Sequence, residues 1–307
     1  MRAALVFPGQ GSQFVGMADA WAQDAVARTV LEEASSAIGR DVVAAARDEG
    51  ALATTEFVQP ALLAIEVAAS RVLEAAGLSC VGAAGHSLGE FGALVAAGVL
   101  ELTAALEIVA VRGRAMQTAG EHRPGTMTAL LGVGAADAQA LCDEARDGDV
   151  LLVANENSPQ QVVISGSVSA IERAESLAGQ RRIRAVRLQV AGAFHSPLME
   201  PAVPALSAAI DAFAFSPPRF PVASNVTGEL VTEPDELRAL AKRHVVSPVR
   251  WERCANALRD AGAEAFVEAG PGDVLTRLAK RVVPGATALA AGTPEQARAA
   301  AAELAAA

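Results

Sequence analysis

The sequence has no tyrosine, only three cysteines and no excess of positive charge. Cys80, Cys142 and Cys254 are odd in number and far apart, and no C-x-x-C pair occurs. That excludes a zinc or redox site of the usual cysteine spacing and leaves reduced residues that pack in the interior. Acidic residues outnumber basic ones, 35 to 25, for a formal net charge of −10. Attraction of the whole molecule to nucleic acid or an anionic membrane is thereby excluded, so an acidic partner must meet a local basic patch. No uncharged apolar run approaches the ~20 residues of a membrane span. The opening MRAALVFPGQ reaches proline and glycine too early for a signal peptide. A soluble, cytoplasmic protein is the expectation.

What is present is a chain of 307 residues, 52% hydrophobic and 20% charged, enough for a sizeable core in one large domain or two modest ones. Short apolar runs ending in glycine or proline read as buried strands: Ala3–Gly9, Cys80–Gly85, Phe220–Asn225 and Ala265–Gly272. Helical patterns lie between them at Gln59–Ala76, Glu90–Ala97, Ala104–Ala119 and Pro197–Phe213. This alternation predicts an α/β body with a mostly parallel sheet. From about Gly125 to Val190 the order changes to β, α, β, β, α, β, with helices near Ala135–Arg146 and Val168–Gly179 and a turn at Asn157-Ser158-Pro159. That order is ferredoxin-like. Residues 125–191 are therefore expected to be an inserted subdomain, with 1–124 and 192–307 forming the body. The terminal TPEQARAAAAELAAA carries a helix start signal and is expected to be a surface helix.

Gly85-His86-Ser87-Leu88-Gly89 fits G-x-S-x-G between a strand and a helix, the setting of a nucleophile elbow. Only glycine fits beside so tight a turn, and the helix start offers unpaired N–H groups to an oxyanion. A serine acting only as a helix cap is the alternative. A serine nucleophile needs a base, and the chain has four histidines. His86 adjoins Ser87 at a turn where neighbouring side chains diverge, and His122 lies in the polar GEHRPG, read as a surface loop. His195 precedes a helix opened by Ser196-Pro197, where the dipole favours neutral imidazole, and is preferred as base; His244 is second.

At ~100° per residue, Ala105, Ile108, Val109 and Met116 share one helix face, and Arg112 falls among them. Arg114 and Glu107 lie on the opposite, solvated side. An arginine in an apolar stripe either pairs internally, its stem along the core, or is kept for a substrate carboxylate that its fork can match. VFPGQGSQ, Val6–Gln13, is a strand and a glycine-rich turn without the lysine of a P-loop or the spacing of a dinucleotide fingerprint.

Together these pieces resemble the malonyl-CoA:acyl carrier protein transacylases and the related acyltransferase domains of polyketide synthases. The resemblance spans nearly the whole chain. It rests on PGQGSQ (Pro8–Gln13), GHSLGE (Gly85–Glu90), RGRAMQ (Arg112–Gln117), NSPQQVVISG (Asn157–Gly166), GAFHS (Gly192–Ser196), SPVRW (Ser247–Trp251) and EAGPGDVLT (Glu268–Thr276), in that order. It implies an α/β-hydrolase-like body with a ferredoxin-like insertion. It further implies that Ser87 carries the acyl group as an ester and that His195 is its base and later its acid. Gln10 and the Leu88 N–H would form the oxyanion hole. Arg112 would hold the free carboxylate of a malonyl group, with Phe194, Met116 and Asn157 as further substrate-binding residues. The family's histidine is oriented by a main-chain carbonyl, commonly of Gln or Asn; here that position is His244.

Phe194 resembles the malonyl-selecting type, whose ring limits space for a branch at the α-carbon. Coenzyme A thioester enters as substrate, and no cofactor or metal is implied. The expected partners are malonyl-CoA and an acyl carrier protein, and a monomer is expected. Arg181, Arg182, Arg184 and Arg187 could steer an acidic carrier, as could Arg277, Lys280 and Arg281; the alternative is a solvated charge run. An editing thioester hydrolase, an acyltransferase using a larger dicarboxylic unit and a non-catalytic docking module are the rival readings. Fatty-acid and polyketide synthesis are not separated by the sequence.

Overall fold

The computed structural model describes residues 1–307. Its strands are β1 (Ala3–Phe7), β2 (Cys80–Gly85), β3 (Gly125–Leu131), β4 (Leu151–Ser158), β5 (Gln161–Ser167), β6 (Arg184–Arg187), β7 (Val222–Ala223), β8 (Leu230–Val231), β9 (Ala265–Ala269) and β10 (Thr287–Ala291). Six form one sheet in the order β10-β9-β1-β2-β7-β8, parallel except for the β7–β8 pair. The other four form an antiparallel sheet in the order β4-β5-β3-β6, built wholly from the βαββαβ stretch. The architecture is an α/β-hydrolase-like body carrying a ferredoxin-like unit.

The alternation within β1 explains the layers. Ala3, Leu5 and Phe7 point into the main core with the helices Ala25–Ile38, Thr55–Ala75, Gly89–Ala96 and Leu102–His122, while Ala4 and Val6 meet Trp251–Asp260 and Val274–Val282 on the opposite face. The same period-2 rule divides β3. Leu130 packs under the helices Ala135–Ala145 and Val168–Gln180 in a separate apolar cluster, whereas Met127 and Ala129 face the main body. The small sheet thus has its own core on one side and offers its other side to the body. Backbone bonds between β4 and Val249 join the two units (Val249 N–H to Ala154 O and Glu156 N–H to Val249 O, both 2.8 Å).

Several element bounds differ from the sequence reading. The helix expected at Gln59 begins at Thr55 and runs through Pro60, because burial of Thr55, Phe57 and Val58 outweighs the helix bond that proline removes. Pro197–Phe213 is divided into a 3₁₀ turn, Pro197–Ala202, and an α-helix, Val203–Asp211, at a segment carrying Pro201 and Pro204. Only Val222 and Ala223 of Phe220–Asn225 make a ladder, and Ser224 and Asn225 turn inward to other bonds. His122 ends the helix Leu102–His122 and is not in a loop. The terminal helix Pro294–Ala306 is capped by Thr293 and buries Ala297, Ala300, Ala301 and Leu304, so one face is core. β10 lies in an alanine-rich stretch that gave no strand signal. No helix is long and apolar enough to cross a membrane.

Candidate active site

β2 and the helix Gly89–Ala96 meet at Ser87, whose φ of 52° is left-handed. The turn demands its glycines: a Cβ on Gly85 would sit 1.8 Å from the Gly89 carbonyl carbon, and one on Gly89 would sit 2.1 Å from Phe7 O. A non-glycine residue in this region costs of order 1–3 kcal/mol and needs support from its surroundings. Here the Ser87 N–H donates to Asn225 Oδ1 at 2.8 Å, and Asn225 Nδ2 donates to Gly85 O at 2.6 Å. The Leu88 N–H, ahead of the first bonded turn, is engaged by no acceptor.

Ser87 Oγ lies 2.7 Å from His195 Nε2. His195 is buried, also has a positive φ, and its Nδ1 lies 3.1 Å from His244 O and 3.0 Å from Ser247 O. Two carbonyls on Nδ1 require the proton there, so Nε2 is bare and accepts from the serine hydroxyl. Burial, and then the positive charge of Arg112, push the His195 imidazole down to about 3. It is therefore neutral across the physiological range, the form a base needs.

Arg112 is 1% exposed. Its Nη1 donates to Gln59 Oε1 at 2.6 Å, its Nη2 donates to Ser87 Oγ at 3.0 Å, and its buried Nε has no acceptor. No carboxylate lies within ion-pair distance, so the internal salt bridge left open by the sequence does not form. The acid whose charge acts on it, Glu90, is itself pushed up to about 7 by burial and accepts from Asn225 N. Burial pulls the guanidinium down to about 10, leaving it a cation. A desolvated cation with a free donor and no counter-charge is costly, and a bound carboxylate would relieve that cost.

These groups line one cleft of about 270 Å³ between the body and the small sheet. Of the residues marked out by sequence, Ser87, Leu88, His195, Arg112, Gln10, Phe194, Met116 and Asn157 all border it. The Gln10 amide is engaged by two weak 3.4 Å bonds, Nε2 donating to Thr55 Oγ1 and Oε1 accepting from Gln59 Nε2. Asn157 accepts from His86 Nε2 at 2.8 Å, which gives His86 a wall position and not the base's. His244 sits behind His195, with ring centroids 5.4 Å apart. The basic stretch after the second inserted helix does not act as a set. Arg181 pairs with Glu144 and Arg187 makes two 2.6 Å bonds to Glu175, while Arg182 and Arg184 have no carboxylate partner. On the helix Val274–Val282, whose Val274, Leu275 and Leu278 wall the cleft, Arg277 pairs with Asp273 and Arg281 donates to Gln161, leaving Lys280 unpaired.

Three residues of this arrangement escaped the sequence reading. Gln59 bridges Arg112 and Gln10; its signal is an amide inside an otherwise apolar stretch of helix. Asn225 fixes the elbow, and Ser247 supplies a second carbonyl to His195. No local pattern marks Asn225, which acts across 138 residues, and although Ser247 opens the SPVRW stretch, nothing there shows that its carbonyl reaches a histidine 52 residues away. No group of three or more His, Cys, Asp or Glu side chains is arranged to hold a metal. The arrangement offers a hydroxyl with an oriented base, a free N–H beside it and a buried cation a hydrogen bond away, which suits acyl transfer from an ester or thioester bearing an anionic group.

Comparison with known proteins agrees with that chemistry. Residues 4–302 match the acyl transferase domain family. The chain is 41% identical to the malonyl CoA-acyl carrier protein transacylase of Escherichia coli K12, over 98% of this chain and 99% of that one. The malonyl CoA-acyl carrier protein transacylase structure from Coxiella burnetii superposes with a TM-score of 0.95 at 36% identity, covering 99% and 98% of the two chains. A malonyl-transacylase solved with its type II polyketide synthase acyl-carrier protein, PlMCAT:AntF, gives the same TM-score at 36% identity, over 99% and 100%.

Proposed function

The chain belongs to the acyl transferase domain family, and on that premise we propose that it transfers a malonyl group from malonyl-CoA to the phosphopantetheine thiol of an acyl carrier protein. The observation that carries the choice of acyl group is Arg112, a buried cation without a carboxylate, 3.0 Å from Ser87 Oγ. A malonyl unit places a carboxylate two carbons from the carbonyl that Ser87 attacks. The guanidinium can pair with it, with Phe194 and Met116 enclosing the short carbon chain.

In the first step Ser87 Oγ attacks the thioester carbonyl as His195 Nε2 takes its proton. The carbonyl oxygen becomes an oxyanion held by the Leu88 N–H and by Gln10 once its amide leaves Thr55. The carbon–sulfur bond then breaks, and coenzyme A leaves as a thiol with the proton from His195. In the second step the carrier's thiol gives its proton to His195 and attacks the ester; Ser87 departs and recovers that proton. A carboxylate on Arg112 cancels the charge that weakens His195, so the base strengthens when the correct substrate is seated.

The acidic carrier would approach the cations that no carboxylate neutralises, Lys280, Arg182 and Arg184, with residues 125–191 as an inserted subdomain forming one wall of the approach. The reaction fits a cytoplasmic monomer serving fatty-acid or polyketide synthesis, with coenzyme A thioester as substrate and no bound cofactor. Intact mass within seconds of mixing with malonyl-CoA tests the reading. A malonyl adduct that Ser87→Ala lacks, and that holo-carrier protein then removes, is the expected result. Release of coenzyme A and free malonate with no transfer to carrier would assign a hydrolase instead.

A further inference from the structure

His244 stands where a backbone carbonyl is needed to hold His195, a task that makes no demand on its side chain. Yet the imidazole is 1% exposed, and its Nε2 lies 3.2 Å from Asn225 Oδ1. The amide orientation of Asn225 is fixed independently, because Oδ1 must accept from Ser87 N–H while Nδ2 donates to Gly85 O. An oxygen at Oδ1 requires the proton of His244 to be on Nε2. The other nitrogen, Nδ1, is buried without a partner. Protonating it would create a donor with no acceptor, beside the charge of Arg112 and the rings of His195 and His86.

We propose that the His244 imidazole and the Asn225 amide form a strut that fixes the distance between the two halves of the dyad. At one end His244 O holds His195 Nδ1; at the other Asn225 Oδ1 holds the left-handed Ser87. One side chain therefore links the carbonyl that aims the base to the amide that aims the nucleophile. Asn225 is braced in turn by its own N–H on Glu90 Oε2, 2.8 Å, in the first turn of the elbow helix. His244 and Asn225 are positioning residues, since neither borders the cleft. The buried Nδ1, which has no partner, favours the neutral ring, and the groups that face it are Arg112, His195, His86 and Glu90, the last with its Oε2 4.0 Å from Nε2.

This inference rests on the acyl-transfer reading, and two measurements separate their fates. Rapid-quench acylation by malonyl-CoA compares His244→Leu with His244→Gln, whose amide can still donate to Asn225. Both variants keep the backbone carbonyl. His244→Leu is expected to slow acylation at saturation by about 10- to 100-fold, the scale of a displaced reacting group, with KM within about twofold of wild type. His244→Gln is expected to recover most of the lost rate. Leucine as fast as histidine, or glutamine as slow as leucine, would overturn the strut. The second measurement needs no variant to fold well: ¹⁵N-histidine spectra of the full-length protein should show His244 neutral with its proton on Nε2, and a proton on Nδ1 would overturn the proposal. Absence of any wild-type ester would sink the acyl-transfer reading alone, leaving the tautomer to judge the strut.

Discussion

Arg112 and Arg187 differ in where the fold puts them. Arg187, on β6 at the edge of the small sheet, is 38% exposed in its side chain and is held by both oxygens of Glu175. Arg112, on the inner face of the helix Leu102–His122, is 1% exposed and meets only an amide and a hydroxyl. Solvent screens the first charge, and its acid satisfies it, so the pair contributes little and recognises nothing further. The second is buried and has no counter-ion. The difference teaches that a charge becomes a binding group when burial has removed its alternatives, and the abundance of arginine in the chain is no guide to which one does so.

The largest expected effect comes from removing the buried member. Arg112→Ala should lower the rate of malonyl-CoA acylation by about 30- to several-thousand-fold, the range for loss of one partner of a desolvated pair of about 2–5 kcal/mol. Acetyl-CoA should gain relative to it, read by stopped-flow or mass detection of the ester. Equal losses for both donors would break the comparison.

The pH profile sharpens it. A histidine base of ordinary pKa would lose about tenfold in kcat/KM between pH 8 and 5.5, as only about a tenth stays neutral. Burial and the Arg112 charge hold His195 near 3, and the neutral form is the active one. Acylation should therefore show no histidine titration across that window, and an inflection near 6.5 would contradict the electrostatics described here.

Smaller effects belong to the surface. Lys280→Glu should slow transfer to an acidic carrier by several-fold at low salt and by less at high salt, leaving acylation by malonyl-CoA alone. Arg187→Gln, the exposed counterpart of Arg112→Ala, should cost no more than about 1 kcal/mol of stability in a denaturant titration. A loss comparable to that of a buried group would mean that the Glu175 pair is structural after all.

Much of this was legible in the sequence because it is local or periodic. The elbow at Gly85–Gly89 is written in adjacent residues, the inward face of Arg112 follows from helical spacing, and the βαββαβ order marks the second sheet. What was not legible acts at a distance. Nothing near Asn225 shows that its amide reaches Ser87, 138 residues away. Nothing near Glu175 or Glu144 shows that they cancel Arg187 and Arg181, so the arginine run looked more available than it is. The early start at Thr55 was decided by packing, which a local pattern does not contain, whereas the break near Pro201 does carry a local proline signal that the helical periodicity masked.

The most direct test of the central claim, that a buried unpaired guanidinium selects the acyl group, is a competition. Wild-type protein is mixed with equal concentrations of malonyl-CoA and acetyl-CoA, and the ester on Ser87 is weighed within seconds. A malonyl ester in excess by about 30-fold or more is predicted, from at least ~2 kcal/mol of discrimination. Equal malonyl and acetyl labelling would contradict the account, because it would mean that Arg112 is satisfied without a substrate carboxylate.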